Sequence, residues 1–169
     1  VGSGRNRSAM RAIIINPFLN ATINLFRQMF NLAATPGTPH KVEGFGNHRW
    51  EVSGVISFLG SHTGVVVIRL PRLLADQLLK RTEITFANEK ERERMLNEMV
   101  GEFTNIIAGN AVGPLTENGF DLDISTPIIV QGKNHRIHWP INAPIIGMPF
   151  TTDLGPFSVD VSMKDIEII

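Results

Sequence analysis

Apolar residues recur at mixed three- and four-residue spacings over 16–32, at Phe18, Ile23, Phe26, Met29 and Phe30, behind the pair Asn16-Pro17. That rhythm predicts a helix with one buried face, asparagine capping it and proline in its first turn. The breaker cluster Thr35-Pro36-Gly37-Thr38-Pro39 ends it and starts a loop. Over 50–59 and 65–70 β-branched and apolar residues dominate, on either side of Gly60-Ser61-His62-Thr63-Gly64. This predicts a β-hairpin with a five-residue connection. Pro71 then opens a second helical stretch, 73–79, with Leu73, Leu74, Leu78 and Leu79 on one side.

The longest helical signal runs over 89–112, from the sign-alternating Glu89-Lys90-Glu91-Arg92-Glu93-Arg94 through Met95, Met99, Phe103 and Ile106. The charge run reads as a solvated first turn or two. After Gly113-Pro114 the period changes, and strands are predicted at 122–124, 127–131, 136–139, 145–150 and 157–163. Helix, hairpin, helix, long helix and then several strands, without strict βαβ alternation, indicate an α+β architecture: two long helices packed on a largely antiparallel sheet. A helix followed by strands in each half suggests a weak internal duplication. Residues 1–9, rich in Gly, Ser, Arg and Asn, read as a cloning remnant or a disordered leader, leaving 10–169 as a single domain.

With 43% hydrophobic and 19% charged residues in a chain of 169, composition is that of an ordinary globular domain. Sixteen basic residues balance sixteen acidic ones, which removes the electrostatic argument for a nucleic-acid or anionic-membrane partner. The chain contains no cysteine, so a thiol nucleophile, a disulfide framework and a thiolate metal site are excluded, in keeping with a reducing, cytoplasmic setting. No run of about 18 apolar residues predicts a membrane span.

Several local patterns fail on spacing. Gly44-Phe45-Gly46-Asn47-His48-Arg49 lacks the third glycine of a dinucleotide fingerprint, and Gly132-Lys133-Asn134 lacks the hydroxyl residue and upstream glycine of a phosphate loop. Gly60-Ser61-His62-Thr63-Gly64 puts serine second rather than third, so turn chemistry explains it better than a nucleophile elbow. His135 and His138, in a predicted strand, would point to opposite faces and share no metal. Asp121 and Asp123 would share a face, without the glycine and bidentate glutamate of a calcium loop, and read as a solvated strand edge. His40, His48 and His62 fall in turn-like surface segments.

One constellation survives. At about 100° per residue, Glu98, Glu102, Asn105 and Gly109 fall within an arc of roughly 60° on the long helix. The apolar set Met95, Leu96, Met99, Val100, Phe103, Ile106 and Ile107 is centred roughly 120° away. Glu102 and Asn105, one turn apart, therefore project together from an outer flank. Asparagine with Gly101 and Gly109 gives this helix poor local propensity, and Gly101, Ala108, Gly109 and Ala111 would let another surface approach its backbone.

The run Glu98-Met99-Val100-Gly101-Glu102-Phe103-Thr104-Asn105-Ile106-Ile107-Ala108-Gly109-Asn110-Ala111 resembles the signature helix of the CheC/CheX/FliY group of chemotaxis phosphatases, an acidic or small residue followed four positions later by E-x-x-N. Asn16-Pro17-Phe18-Leu19-Asn20-Ala21-Thr22 resembles the first helix of CheX, Ser53-Gly54-Val55-Ile56-Ser57-Phe58 with 64–70 its first hairpin, and 126–132 with Pro149-Phe150 and 155–163 its closing strands. The resemblance covers nearly everything after Met10. It implies a phosphatase acting on the aspartyl phosphate of a CheY-type response regulator. Asn105 would orient the attacking water, Glu102 would pair with the partner's active-site lysine, and Glu98 would play a supporting role.

The resemblance further implies no cofactor of the protein's own, Mg2+ being held by the phosphorylated partner, and a homodimer formed through the sheet. Some members carry the motif on both long helices. Here Asn24 laid on Asn105 puts Ala21 at the glutamate position, and Asn20 laid on Glu102 puts Ile23 at the asparagine position, so one site per chain is expected. The rival reading is a docking or sheet-mediated interaction module that binds a receiver domain without hydrolysis, a role with little need of a water-positioning amide at position 105. A metal-dependent hydrolase of small phosphates would need a carboxylate or histidine cluster that the sequence does not offer.

Overall fold

The three-residue hairpin turn between Val52–Gly60 (β3) and Gly64–Leu70 (β4) starts at Gly60, whose φ is +142° and whose position for a Cβ stands 2.2 Å from the Asp121 carbonyl oxygen. Only glycine fits there, and it brings Leu122–Ile124 (β5) alongside the end of β3. The structure, a computed structural model, describes residues 3–43, 50–139 and 142–164. The segment 44–49, with its failed nucleotide pattern and His48, lies outside them.

The remaining elements are helices Ser3–Phe30 (α1), Arg72–Arg81 (α2) and Glu89–Glu117 (α3), and strands Thr35–Pro36 (β1), His40–Lys41 (β2), Ile128–Gln131 (β6), Ile145–Thr152 (β7) and Gly155–Met163 (β8). The sheet runs β1-β7-β8-β4-β3-β5, with β2 also on β7 and β6 also on β3, and its pairings are antiparallel. The α+β expectation therefore stands. Alternate residues of the strands, such as Val66 and Ile68 on β4 and Val159 and Val161 on β8, enter one core with α1 and α3, which pack along each other. Phe157 stacks between Phe26 and Phe150 at centroid distances of 4.4 and 4.9 Å.

Two helix boundaries differ from expectation. α1 begins at Ser3, inside the stretch set aside as a leader, and carries Pro17 in its interior rather than its first turn. An interior proline costs about 3 kcal/mol, but burying Ile14 and Ile15 contributes about 1.5–3 kcal/mol each, and that burial holds the helix together upstream of the proline. α3 likewise continues through Pro114 to bury Leu115. On α2, Leu74, Leu78 and Leu79 are buried while Leu73 is 66% exposed, so the four leucines do not form one side.

The predicted strand at 136–139 is not formed. β6 and β7 lie toward opposite edges of the sheet, so the chain between them crosses its outer face. Along that crossing His135 meets Ser53, Trp139 covers Arg69, and the Ala143 carbonyl accepts from Ser162 Oγ. Val65, Val67 and Asp160, on the face away from the helices, are consequently buried. Among the described residues no helix is long and apolar enough to cross a membrane.

Candidate functional site

α3 starts where the polar pattern says it should. Asn88 Oδ1 accepts from the Glu91 N–H, and the Glu91 carboxylate accepts from the Ala87 N–H, satisfying donors that a helix start leaves open. The charge run that follows is not merely solvated. Arg92 pairs with Asp76 of α2 at 2.6 Å, and Arg72 of α2 donates to Asp76 at 3.1 Å and to Glu93. The hydrogen bond from Arg72 holds the Glu93 carboxyl below the usual range, against the opposing effect of its partial burial. Two residues of the run, Arg92 and Glu93, fasten α3 to α2, a tertiary partnership that no local pattern announces.

Further along, the helix sorts its side chains as its period requires. Leu96, Val100, Phe103 and Ile107 are buried, and Glu98, Glu102, Asn105 and Gly109 are exposed. The structure thus brings together the residues singled out from the sequence. They are not equivalent, however. Glu98 is held by Arg94 at 2.5 Å, whereas Glu102 and Asn105 make no side-chain hydrogen bond or ion pair with another described residue. A carboxylate and a carboxamide that no described residue uses are left to meet a second molecule.

Beside them lies an open cleft of about 690 Å³. One wall is α3, with Asn97, Glu98, Gly101, Glu102 and Asn105; the other is formed by residues 124–127 and Ile129. Gly101 sits at its base, where an added Cβ would stand 3.6 Å from Pro127 Cγ and 3.8 Å from Ile129 Cδ1. The second wall, and the place of Asn97 in the lining, are features of the candidate site that the sequence did not expose, because the cleft exists only once β5 and β6 join β3 opposite α3.

The other candidates separate from this site. α1 turns Asn20 and Asn24 outward, with Ala21 buried and Ile23 half-buried, and contains no acidic residue. Asp121 and Asp123 are exposed beside β5. His138 is exposed, while the His135 ring places Nδ1 2.9 Å from the Gly132 carbonyl and Nε2 2.7 Å from Ser53 Oγ. Since a carbonyl only accepts, Nδ1 carries the proton and Ser53 donates to Nε2. Ser53 is fully buried, so this serine–histidine pair pins the crossing segment rather than presenting a nucleophile. Among the described residues no group of three or more acidic or histidine side chains is gathered where it could hold a metal ion.

Comparison with known proteins adds a family. The model described as chemotaxis phosphatase CheX matches residues 52–151, a span that includes Glu98, Glu102 and Asn105. Chemotaxis protein CheX from Vibrio vulnificus is 31% identical with a TM-score of 0.77, over 89% of this chain and 99% of its own. CheX from Desulfovibrio desulfuricans is 27% identical with a TM-score of 0.81, over the same shares. The CheX–CheY–BeF3–Mg2+ complex from Borrelia burgdorferi includes a chain 25% identical to this one, with a TM-score of 0.76 over 90% of this chain and 98% of that one. Among curated proteins none matches significantly.

Proposed function

Because the chain belongs to the CheX family of chemotaxis phosphatases, we propose that it accelerates hydrolysis of the aspartyl phosphate of a CheY-type response regulator, using Asn105 and Glu102. The observation that carries this reading is the pair itself: two polar side chains one turn apart, exposed, without a partner among the described residues, and set on the rim of a cleft.

The chemistry asks for little more. An acyl phosphate is already electrophilic, and its hydrolysis waits on a water held in line with the bond to be broken. The Asn105 carboxamide donates and accepts hydrogen bonds without titrating, so it can orient that water. Oxygen of the water bonds to phosphorus, the bond from phosphorus to the receiver's aspartyl oxygen breaks, and the aspartate leaves as a carboxylate. No covalent intermediate forms on this chain. Glu102 pairs with the lysine of the receiver's active site, which docks α3 and draws that lysine into place. Mg2+, held by the receiver's own carboxylates, supplies charge neutralisation at the phosphoryl group. Glu98, already committed to Arg94, supports the face rather than reaching the partner.

The same reading makes the protein cytoplasmic and homodimeric through the sheet. Strand β6 has a ladder partner only on its β3 side and exposes Ile128 by 63%, which leaves an edge able to accept a second strand. The decisive experiment is the dephosphorylation rate of phosphorylated CheY-type receivers with and without the protein. Acceleration supports the reading. Hydrolysis of small phosphomonoesters with no receiver present, and none of the receiver, overturns it.

A further inference from the structure

We infer that Gln131, outside the reacting pair, is a positioning residue: it ties the β6 wall of the cleft to α3 and thereby sets how a phosphorylated receiver seats against Glu102 and Asn105. The inference rests on the function proposed above and adds a determinant of docking to it.

Gln131 is the last residue of β6, immediately before Gly132, where the chain turns with φ +131°. Its side-chain amide is engaged at both ends. Nε2 donates to Asn97 Oδ1 at 2.5 Å, and Oε1 accepts from Arg72 Nη1 at 2.9 Å. Arg72 is anchored in turn by Asp76 and Glu93, and Asp76 by Arg92. One glutamine therefore closes a connection among β6, α2 and α3, and its α3 contact, Asn97, is itself part of the cleft lining beside Glu98 and Gly101.

This tie has a specific task. β6 is four residues long and, among the described residues, is held through its ladder by β3 on one side. Residues 124–127 and Ile129 stand opposite α3 on this short strand and the bend before it. A partner entering the cleft pushes directly on that wall. Side-chain hydrogen bonds across the cleft's end resist the push, and the receptive shape exists before the partner arrives. Misplacement by about 1 Å of a positioning element is enough to weaken a productive complex strongly.

Three substitutions test this on the full chain with a phosphorylated CheY-type receiver. Gln131→Leu keeps the volume and loses both bonds. Gln131→Asn keeps the amide but is a methylene too short to reach Asn97 and Arg72 together, and it carries the test if the leucine variant does not fold. Gln131→Glu keeps the length, accepts from Arg72, and accepts from Asn97 once that amide is turned. Expected is a KM for the receiver raised about fivefold or more in the leucine and asparagine variants, kcat within about twofold of wild type, and KM restored in the glutamate variant.

An unchanged KM in the variants beside an active wild type overturns the role of Gln131 and leaves the proposed function standing. An equal loss in all three, the glutamate variant included, overturns the tie as well, because the loss would then not follow the hydrogen bonds. A wild type that accelerates no receiver's dephosphorylation overturns the proposed function first, and the docking role with it.

Discussion

Thr104 lies so close over Gly54 that a Cβ built on the glycine would stand 2.1 Å from the threonine hydroxyl oxygen and 3.1 Å from its Cβ. This is where α3 rests on β3. The threonine is fully buried, its hydroxyl donating to the Val100 carbonyl at 2.6 Å. With Thr104 pressed on the sheet, its neighbours Glu102 and Asn105, on the opposite flank, face away from it. The rotation of α3 is thus fixed by a missing side chain on a strand.

Gly54→Ala should lower stability by about 1–3 kcal/mol, the usual range for overpacking a filled core. Thr104→Ala in the same chain should return part of that loss, since it removes the nearest obstacle. Urea unfolding of the two single variants and the double variant reads the coupling directly. Simple additivity of the two single effects would show that the contact does not limit the packing.

Asn105→Ala should leave folding intact, the residue being exposed, and lower receiver dephosphorylation by about 10² or more. Glu102→Ala should weaken binding as well as turnover, because its proposed work is to hold the receiver's lysine. The two are separated by titrating each variant with a beryllofluoride-loaded receiver and by timing single turnovers. An asparagine variant that turns over normally removes the catalytic assignment; a glutamate variant that binds normally removes the docking pair.

The exposed face of the candidate site could be read from the chain because it obeys the helical period alone: 98, 102, 105 and 109 fall on one arc whatever the helix packs against. α3 likewise starts at Glu89, where the charge run begins, and β5 spans the stretch expected of it. What escaped reading depends on distant partners. β1 and β2 are two residues each, the first inside the proline-rich breaker cluster and the second just after it, and both take their ladder partners from β7. The pattern at 136–139 suggested a strand, yet its apolar and polar residues alternate because the segment lies across a sheet, with Trp139 over Arg69. Helices continue through Pro17 and Pro114 because burial outweighs a local penalty. The cleft's second wall is of the same kind, a consequence of β6 joining β3.

Gly101→Ala and Gly109→Ala should both stabilise the protein, by about 0.5–1 kcal/mol each, since alanine is the better residue inside a helix. Neither added methyl meets a clash: nothing lies within 4 Å of the Gly109 position, and the neighbours of the Gly101 position are at ordinary contact distance. Yet Gly101 lines the cleft, and in the proposed function an added methyl would occupy space meant for the receiver. The expected result is a higher unfolding midpoint together with a raised KM for Gly101→Ala, stability and activity moving in opposite directions. A more stable Gly101→Ala protein with unaltered KM would show that the receiver does not enter the cleft at that depth.

Asp160 should give the protein's stability a component that runs against the usual acid sensitivity of carboxylates. It lies on the sheet's outer face under the crossing segment, and burial pushes its carboxyl above the usual carboxylate range, against the pull of Arg69, Ser158 and His40. Arg69 Nε is 3.2 Å from Asp160 Oδ2, but its N–H makes no hydrogen bond there, so the contact is ionic and does not fully offset the desolvation. A group whose folded pKa exceeds its unfolded one favours folding while it is protonated. That contribution is complete below the unfolded value, about 3.9, and is lost as pH rises through the raised folded value. Asp160→Asn cannot ionise, so the difference in unfolding free energy between wild type and variant should shift toward the variant over that interval and then level off. Where Asp160 is protonated the variant takes no counter-charge from Arg69, so exchanging the neutral carboxyl for an amide adds only a pH-independent offset, which displaces the curve without changing its slope. Denaturant unfolding of both proteins at a series of pH values, from below the ordinary carboxylate range to neutrality, isolates the slope. A flat difference would mean that pairing with Arg69 cancels the burial of the charge, and one that moves toward the wild type as pH rises would mean that Asp160 is stabilised as the anion; either overturns the prediction.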